Sequence, residues 1–592
     1  MRSLKDLVKE CAKALDVIHN QLHDIFALEK ERFLIRLWAK KGLVKEVWLI
    51  FSDRYEVDKI QRLKMDFYME VGEYEVYQAV VDTCTPRLGY KFLIKLLDGA
   101  FKIYNQFGLQ DDDSDIYSGH FHFPYANPSD IFEKPKWVEK AVVYEIFPDR
   151  FARDDKKESV KELFPWDYCK WERPGSEVFL GGNFAGIKGK IDYFRRLGIN
   201  VIYFTPIFKS ASSHRYNVDD YFDVDPLLGT KEEFKELVET LHQNGIRVIL
   251  DMVFNHTGTG FFAFQDVIKN GKDSKYFDWY NIKSLPIDIQ KGNYETFATG
   301  VKSMPRIDTS KKDVQDFFLS VLKYWLLEFD VDGFRFDVAN ELDKSFLRRI
   351  RLELKRLKKN ILLIGEVMHR SESFLLGDMF DGVMNYFSWE IFLRFLMGKY
   401  KAKDASKILA EYRLKFNPKL FSCQLNLIGS HDTKRVLNAV LKNKKLAMLA
   451  GVYNLTYQGI PMIYYGDEIG MEGENDPDCR RGMIWEEQKW DKEFFELYRK
   501  LISLKRTSKA LNVDDVKERF FGDVLCFERS TDDEIIYVFF NPTKSFQKIK
   551  ISTPEILGRE ISFFKSEKSY RNYSTMLEVE ILAEDFEIVI VR

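Results

Sequence analysis

Residues 333–341, Gly-Phe-Arg-Phe-Asp-Val-Ala-Asn-Glu, carry an arginine and an aspartate two positions apart inside an apolar alternation. In a strand, Arg335 and Asp337 point the same way. A cation beside a carboxylate favours its charged form, so the spacing predicts an ionised Asp337 able to attack carbon. A structural ion pair at a strand end gives the same pattern, and three further segments bear on the choice. Ile-Leu-Leu-Ile-Gly-Glu-Val-Met at 361–368 is an apolar run ending on Glu366, where desolvation raises a carboxyl toward the range of a general acid. Gln-Leu-Asn-Leu-Ile-Gly-Ser-His-Asp-Thr at 424–433 ends on His431 and Asp432. Arg-Val-Ile-Leu-Asp-Met-Val-Phe-Asn-His-Thr at 247–257 ends on Asp251, Asn255 and His256. Strands with polar residues gathered at their C-terminal ends fit a parallel β/α barrel, where those ends meet at one active face.

One ionised Asp, one protonatable Glu and a third Asp are the equipment for retaining hydrolysis of a glycosidic bond. Asp337 would form a covalent glycosyl intermediate. Glu366 would protonate the leaving oxygen, then deprotonate the incoming water or sugar hydroxyl. Asp432, with His431 and His256, would grip hydroxyls and hold the ring distorted toward an oxocarbenium-like state.

These four segments resemble the ordered motif set of the α-amylase family, glycoside hydrolase family 13. The finer spelling resembles its neopullulanase, cyclomaltodextrinase and maltogenic amylase branch. The markers are Val338-Ala339-Asn340-Glu341, Gly429-Ser430-His431-Asp432 and the run Gly473-Glu-Asn-Asp-Pro-Asp-Cys-Arg-Arg481. The resemblance implies that Asp337 is the nucleophile, Glu366 the acid/base and Asp432 the transition-state stabiliser. It places Arg335, His256 and His431 around the sugar under attack, with Tyr216 of the His214-Arg-Tyr loop stacked beneath the ring. Asp476 and Arg480 would bind the next sugar, and Asn340, Glu341 and Met368 would add substrate contacts. There are three departures. Met368 stands where the branch has Trp, Met304-Pro-Arg-Ile-Asp308 where it has Met-Pro-Lys-Leu-Asn, and Gly482 where it has Pro. Met is flexible in packing, so a looser acceptor side follows from the first.

The implied activity is retaining cleavage of α-1,4 bonds, with some α-1,6, in maltooligosaccharides, cyclodextrins and pullulan, together with transglycosylation. An α-amylase acting on long starch chains is the neighbouring alternative. A barrel kept only for binding would be expected to have lost one of the three carboxylates. The chemistry needs no cofactor. Relatives often hold calcium after the first barrel strand, where Asp155 and Asn183 offer oxygens. Arg153 stands where another oxygen is usual, and calcium wants six to eight.

The elements that must position these groups form three segments. Residues 1–125 read as a short amphipathic helix (Leu4, Leu7, Val8, Cys11 and Leu15 on one face) and then a β-sandwich, with Asp98-Gly99 as a hairpin turn. This segment resembles the branch's carbohydrate-binding N-domain, which implies a homodimer. Residues 126–511 alternate strand and helix as a (β/α)8 TIM barrel. Candidate strands lie at 141–147, 200–205, 247–252, 332–338, 361–367, 381–386, 424–429 and 461–465. Residues 258–310 carry little helical period and read as a small subdomain inserted after the third strand. Residues 512–592 alternate again and read as a second β-sandwich.

Over 592 residues, 92 acidic side chains against 90 basic give a net charge of −2, which points to neither a nucleic-acid nor an anionic-membrane partner. No run of 18 apolar residues predicts a membrane span, and the N-terminal residues lack an apolar core of signal-peptide length. The six scattered cysteines contain no Cys-x-x-Cys pair, which fits a reducing cytoplasm.

Overall fold

The computed structural model describes residues 16–56, 58–111, 119–154 and 161–592. Residues 1–15, read above as an amphipathic helix, and Asp155 lie outside them. The chain forms two compact units, Met1–Glu133 with Ser406–Lys419, and Lys134–Ala405 with Leu420–Arg592.

All eight barrel strands form where the apolar runs place them. They are Val143–Ile146, Val201–Phe204, Arg247–Met252, Gly333–Phe336, Leu362–Gly365, Gly382–Val383, Leu425–Asn426 and Ile460–Tyr464. Each pairs in parallel with its neighbour, and the eighth pairs with the first. A parallel bridge from Met384 to Leu425 joins the sixth strand's end to the seventh and closes the ring. Their residues are almost all buried, as expected of strands covered on both faces. Helices supply the outer cover. The helix Lys231–Gln243 buries Phe234, Leu237, Val238 and Leu241, an i, i+3, i+4, i+7 stripe, and starts on a Thr230–Glu233 capping box. The helix Lys344–Leu357 is capped by Asp343, which accepts from the Ser345 and Phe346 amides.

Register fixes the chemistry. Asp251 lies beside Arg335, and Phe336 beside Gly365. The Asp337 amide donates to the Met252 carbonyl at 3.0 Å and the Glu366 amide to the Phe336 carbonyl at 2.9 Å. Three acids and an arginine from three strands are thereby brought to one level at the C-terminal end.

The inserted subdomain follows the third strand as the sequence places it, but it holds one regular helix that the sequence reading passed over. Phe262–Asn270 buries Ala263, Phe264 and Val267, too short a stripe for the period to stand out. Bridges from His256 to Arg306 and from Tyr280 to Ile307 tie its return path together.

In the N-terminal unit two sheets enclose a core that includes Phe33, Leu37, Val47, Leu49, Tyr90 and Phe92. The adjacent strands Arg32–Lys40 and Val44–Ser52 fall in different sheets, pairing with Tyr74–Asp82 and Leu88–Leu96 respectively. Asp98-Gly99 makes the expected hairpin between Leu88–Leu96 and Phe101–Asn105. Ala410 and Leu414 pack with Tyr68, Met69 and Val76, so Ser406–Lys419, from the central segment of the sequence, belongs to this unit. At the C-terminus, a six-stranded sheet and the pair Gln547–Ser552 and Met576–Ile581 enclose a second β core.

Candidate active site

Arg335 lies at the centre of the cluster, fully buried. One terminal nitrogen reaches Asp251 at 2.9 and 3.0 Å and Asp337 at 2.9 Å, and the other reaches Glu366 at 3.0 Å. The expectation that Arg335 holds Asp337 ionised is corrected here. One guanidinium is shared among three carboxyls, and burial pushes Asp337 well above the ordinary range, with the Glu366 charge adding to the rise. Burial also raises Glu366, against the pull of Arg335. Two neighbouring carboxyls in a dry site cannot both ionise cheaply, so Asp337 and Glu366 titrate as a pair around one proton.

A backbone feature places the second member. Val338 has φ 44° and ψ 43°, a left-handed conformation costly for a β-branched residue. In that conformation its amide donates to Glu366 Oε2 at 2.9 Å, while the Ala339 amide reaches the Glu366 carbonyl at 3.1 Å. With Oε2 occupied by the amide and Arg335, Oε1 is the oxygen left to carry a proton.

The opposite wall is held by a second chain of bonds. Asp251 accepts from Tyr203 at 2.6 Å and from Tyr216 at 2.9 Å. The Tyr216 hydroxyl meets His431 Nε2 at 2.5 Å, and the two rings stack at 5.3 Å. His431 also contacts Asp432 at 3.0 Å and Glu145 at 2.5 Å. Arg480 binds Asp432 at 3.0 Å and Asp476 at 2.9 Å. Burial opposes charge on both members of the His431–Asp432 pair, but their neighbours outweigh it. Asp432 and Glu145 raise His431 to about 10, and His431 and Arg480 hold Asp432 well below the usual carboxylate range. Burial drives His256 and His214 down to about 3, so both are neutral.

A cleft of ≈ 390 Å³ opens onto this cluster, a size suited to a small ligand. Asp337, Glu366, Asp432, His214, Tyr216, His256, Asn340, Met368, Asp476 and Arg480 line it. Arg335 and His431 have no exposure and stand behind the lining rather than in it. Glu341 does not line this cleft. It belongs to a neighbouring polar hollow, facing Arg306 at 3.8 Å. Phe297, whose ring lies tilted against His256 with centroids 4.8 Å apart, and His369 are lining residues that the sequence reading missed. Glu145 was missed as well, although a lone acid inside Val142–Phe147 fits the rule that picked out Glu366. Phe297 offered no such signal.

Of the calcium candidates, Asn183 spends its side-chain oxygen on the Gly186 amide at 2.8 Å, capping a short helix. Arg153 donates to the Leu180 carbonyl at 3.2 Å. Among the described residues, no group of three or more His, Cys, Asp or Glu is placed to hold a metal ion.

The family profile described as Alpha amylase, catalytic domain, matches residues 145–519, and that described as Alpha amylase, N-terminal ig-like domain, matches 14–127. The chain is 40% identical to a cyclomaltodextrinase of Thermoanaerobacter pseudethanolicus over 528 residues, 87% of this chain and 90% of that one. It is 35% identical to neopullulanase 2 of Thermoactinomyces vulgaris over 542 residues, 90% and 92% of the two chains. A solved structure of a cyclomaltodextrinase superposes with a TM-score of 0.90 at 31% identity, covering 98% of this chain and 99% of that one.

Proposed function

Because the chain belongs to the α-amylase family, in the branch of cyclomaltodextrinases, neopullulanases and maltogenic amylases, it is a glycoside hydrolase, and we propose how it works and on what. It cleaves α-1,4 bonds, and some α-1,6, in maltooligosaccharides, cyclodextrins and pullulan with retention at the anomeric carbon, and it transfers glycosyl groups to sugar acceptors. The observation that carries this reading is the Asp337–Glu366 pair on one guanidinium, poised to hold a single proton.

In the first step Glu366 gives that proton to the glycosidic oxygen as Asp337 attacks the anomeric carbon. Loss of the proton leaves Glu366 as the base for the second step, when water or a sugar hydroxyl displaces Asp337. Asp432 stays ionised throughout and holds sugar hydroxyls as positive charge develops on the ring. Tyr216, backed by the His431 ring, offers its face to the sugar. No step of this sequence requires a metal.

The N-terminal Ig-like unit and the cyclomaltodextrinase and neopullulanase relatives favour small and cyclic glucans over long starch. We read the enzyme as a homodimer working in the cytoplasm. Relatives named intracellular maltogenic amylase support that compartment, and among the described residues no helix is long and apolar enough to cross a membrane. Rates on cyclodextrin, pullulan and soluble starch, measured side by side, test the substrate range. Starch turned over faster than cyclodextrin would favour the α-amylase alternative. Light scattering tests the dimer, which requires twice the 70.0 kDa chain mass.

A further inference from the structure

We propose that Glu145 is a positioning residue of this reaction. Sealed beneath the cleft, its carboxylate keeps His431 an imidazolium and so fixes the His431–Asp432 pair that faces the sugar. The inference rests on the glycosidase reading above and adds a residue to it.

Glu145 is the third residue of the first barrel strand, flanked in register by Tyr203 and Tyr464, and it has no exposure to water. A carboxylate so placed needs a charge partner or a proton. Its partner is His431, whose Nδ1 lies 2.5 Å from Oε1.

Proton counting gives the state of the ring. Tyr216 has one hydroxyl proton, and it points to Asp251, which Arg335 binds as an ion pair. The Tyr216 oxygen must therefore accept from His431 Nε2, which also faces Asp432 at 3.0 Å. Nδ1 faces a carboxylate oxygen and must donate as well. A ring that donates from both nitrogens is a cation.

The surroundings leave this work to the two carboxylates. Arg480 and Cys479 approach His431 only at its backbone carbonyl, at 2.8 and 3.2 Å. Tyr203 and Tyr464 on the neighbouring strands, and Asp467 just beyond the eighth strand, are coupled electrostatically to Glu145, and none of these three is a cation. The rise of His431 to about 10, with Asp432 and Glu145 outweighing burial, agrees with the count. Without Glu145 the buried ring keeps only Asp432 to hold its proton and gives it up at lower pH, and Asp432 then loses the cation that orients it.

The test is the pH profile of kcat/KM on maltotriose for wild type and Glu145→Gln. Gln keeps the shape and one acceptor but not the charge. In wild type the alkaline fall reports loss of the Glu366 proton. In E145Q, loss of the His431 proton joins it, so the fall steepens toward two protons. At pH 8, kcat/KM then drops by about tenfold relative to its value at pH 5.5. If E145Q does not fold, Glu145→Asp, which draws the charge back by one methylene, is read instead and shifts in the same direction by less. A folded variant that loses rate with the wild-type profile intact would make Glu145 ordinary packing and overturn the proposal. Wild-type protein that releases no sugar would instead sink the glycosidase reading itself.

Discussion

The two ends of the cleft are built differently. At the end formed by Asp337, Glu366, Asp432 and Tyr216, polar side chains are locked to one another through Arg335, Asp251 and His431, most of them buried. Elsewhere in the lining Met368 is 52% exposed, and Asn340 also lies open. The locked end suits a reaction whose reacting atoms must be held within a fraction of an ångström. The open end suits an acceptor that is sometimes water and sometimes a sugar. On this account bond cleavage is fixed by the structure while the fate of the glycosyl intermediate is left to a few adaptable contacts.

Breaking the locked end should cost most. Asp337→Asn removes the nucleophile and Glu366→Gln the proton donor, and each should lower kcat on a cyclodextrin by about 10³-fold or more. The same variants should change the pH dependence of stability. A buried carboxyl whose pKa is raised binds its proton more tightly folded than unfolded, so the folded state loses stability as pH rises through the unfolded value toward the folded one. Neutralising Asp337 lifts that penalty, so D337N should gain melting temperature over wild type at pH 8 and little at pH 4. An equal gain at both would remove the shared-proton argument.

Tyr216→Phe tests the second chain of bonds. It removes one hydroxyl that serves both Asp251 and His431, a loss of about 1–3 kcal/mol if the partners stay buried. We expect kcat/KM to fall by roughly tenfold to a hundredfold, and unchanged kinetics would mean that the link is ornamental. Met368→Trp sharpens the contrast from the open side. It should change the ratio of transfer to hydrolysis products at high maltose, with cleavage itself within a few-fold of wild type. A collapse of cleavage with a flat ratio would make Met368 part of the locked end. Smallest of all is the effect of a chelator. EDTA should leave both activity and melting temperature unmoved, and a loss reversed by added calcium would show that a metal site exists.

The locked end was the more legible in the sequence, for a physical reason. Its residues close apolar strands, and a strand's register with its neighbour then decides what meets what, as Asp251 meets Arg335. Reading strand ends therefore found Asp337, Glu366, His431 and Asp432 together. Local spacing could not reveal that Arg335 is divided among three carboxyls, which depends on partners from the third and fifth strands. Glu341 was misplaced because a 3-10 turn follows Val338, and its direction depends on a left-handed residue that no apolar pattern announces. The short helix in the inserted subdomain escaped for a related reason, since nine residues give too few turns for a period to show.

The central claim is a double displacement through Asp337, and the anomeric form of the first product tests it most directly. Proton NMR of maltotriose or cyclodextrin hydrolysis, read before mutarotation, should show the α-anomer appearing first, because two inversions restore the starting configuration. A β-anomer in the earliest spectra would mean a single inversion and would contradict the role given to Asp337.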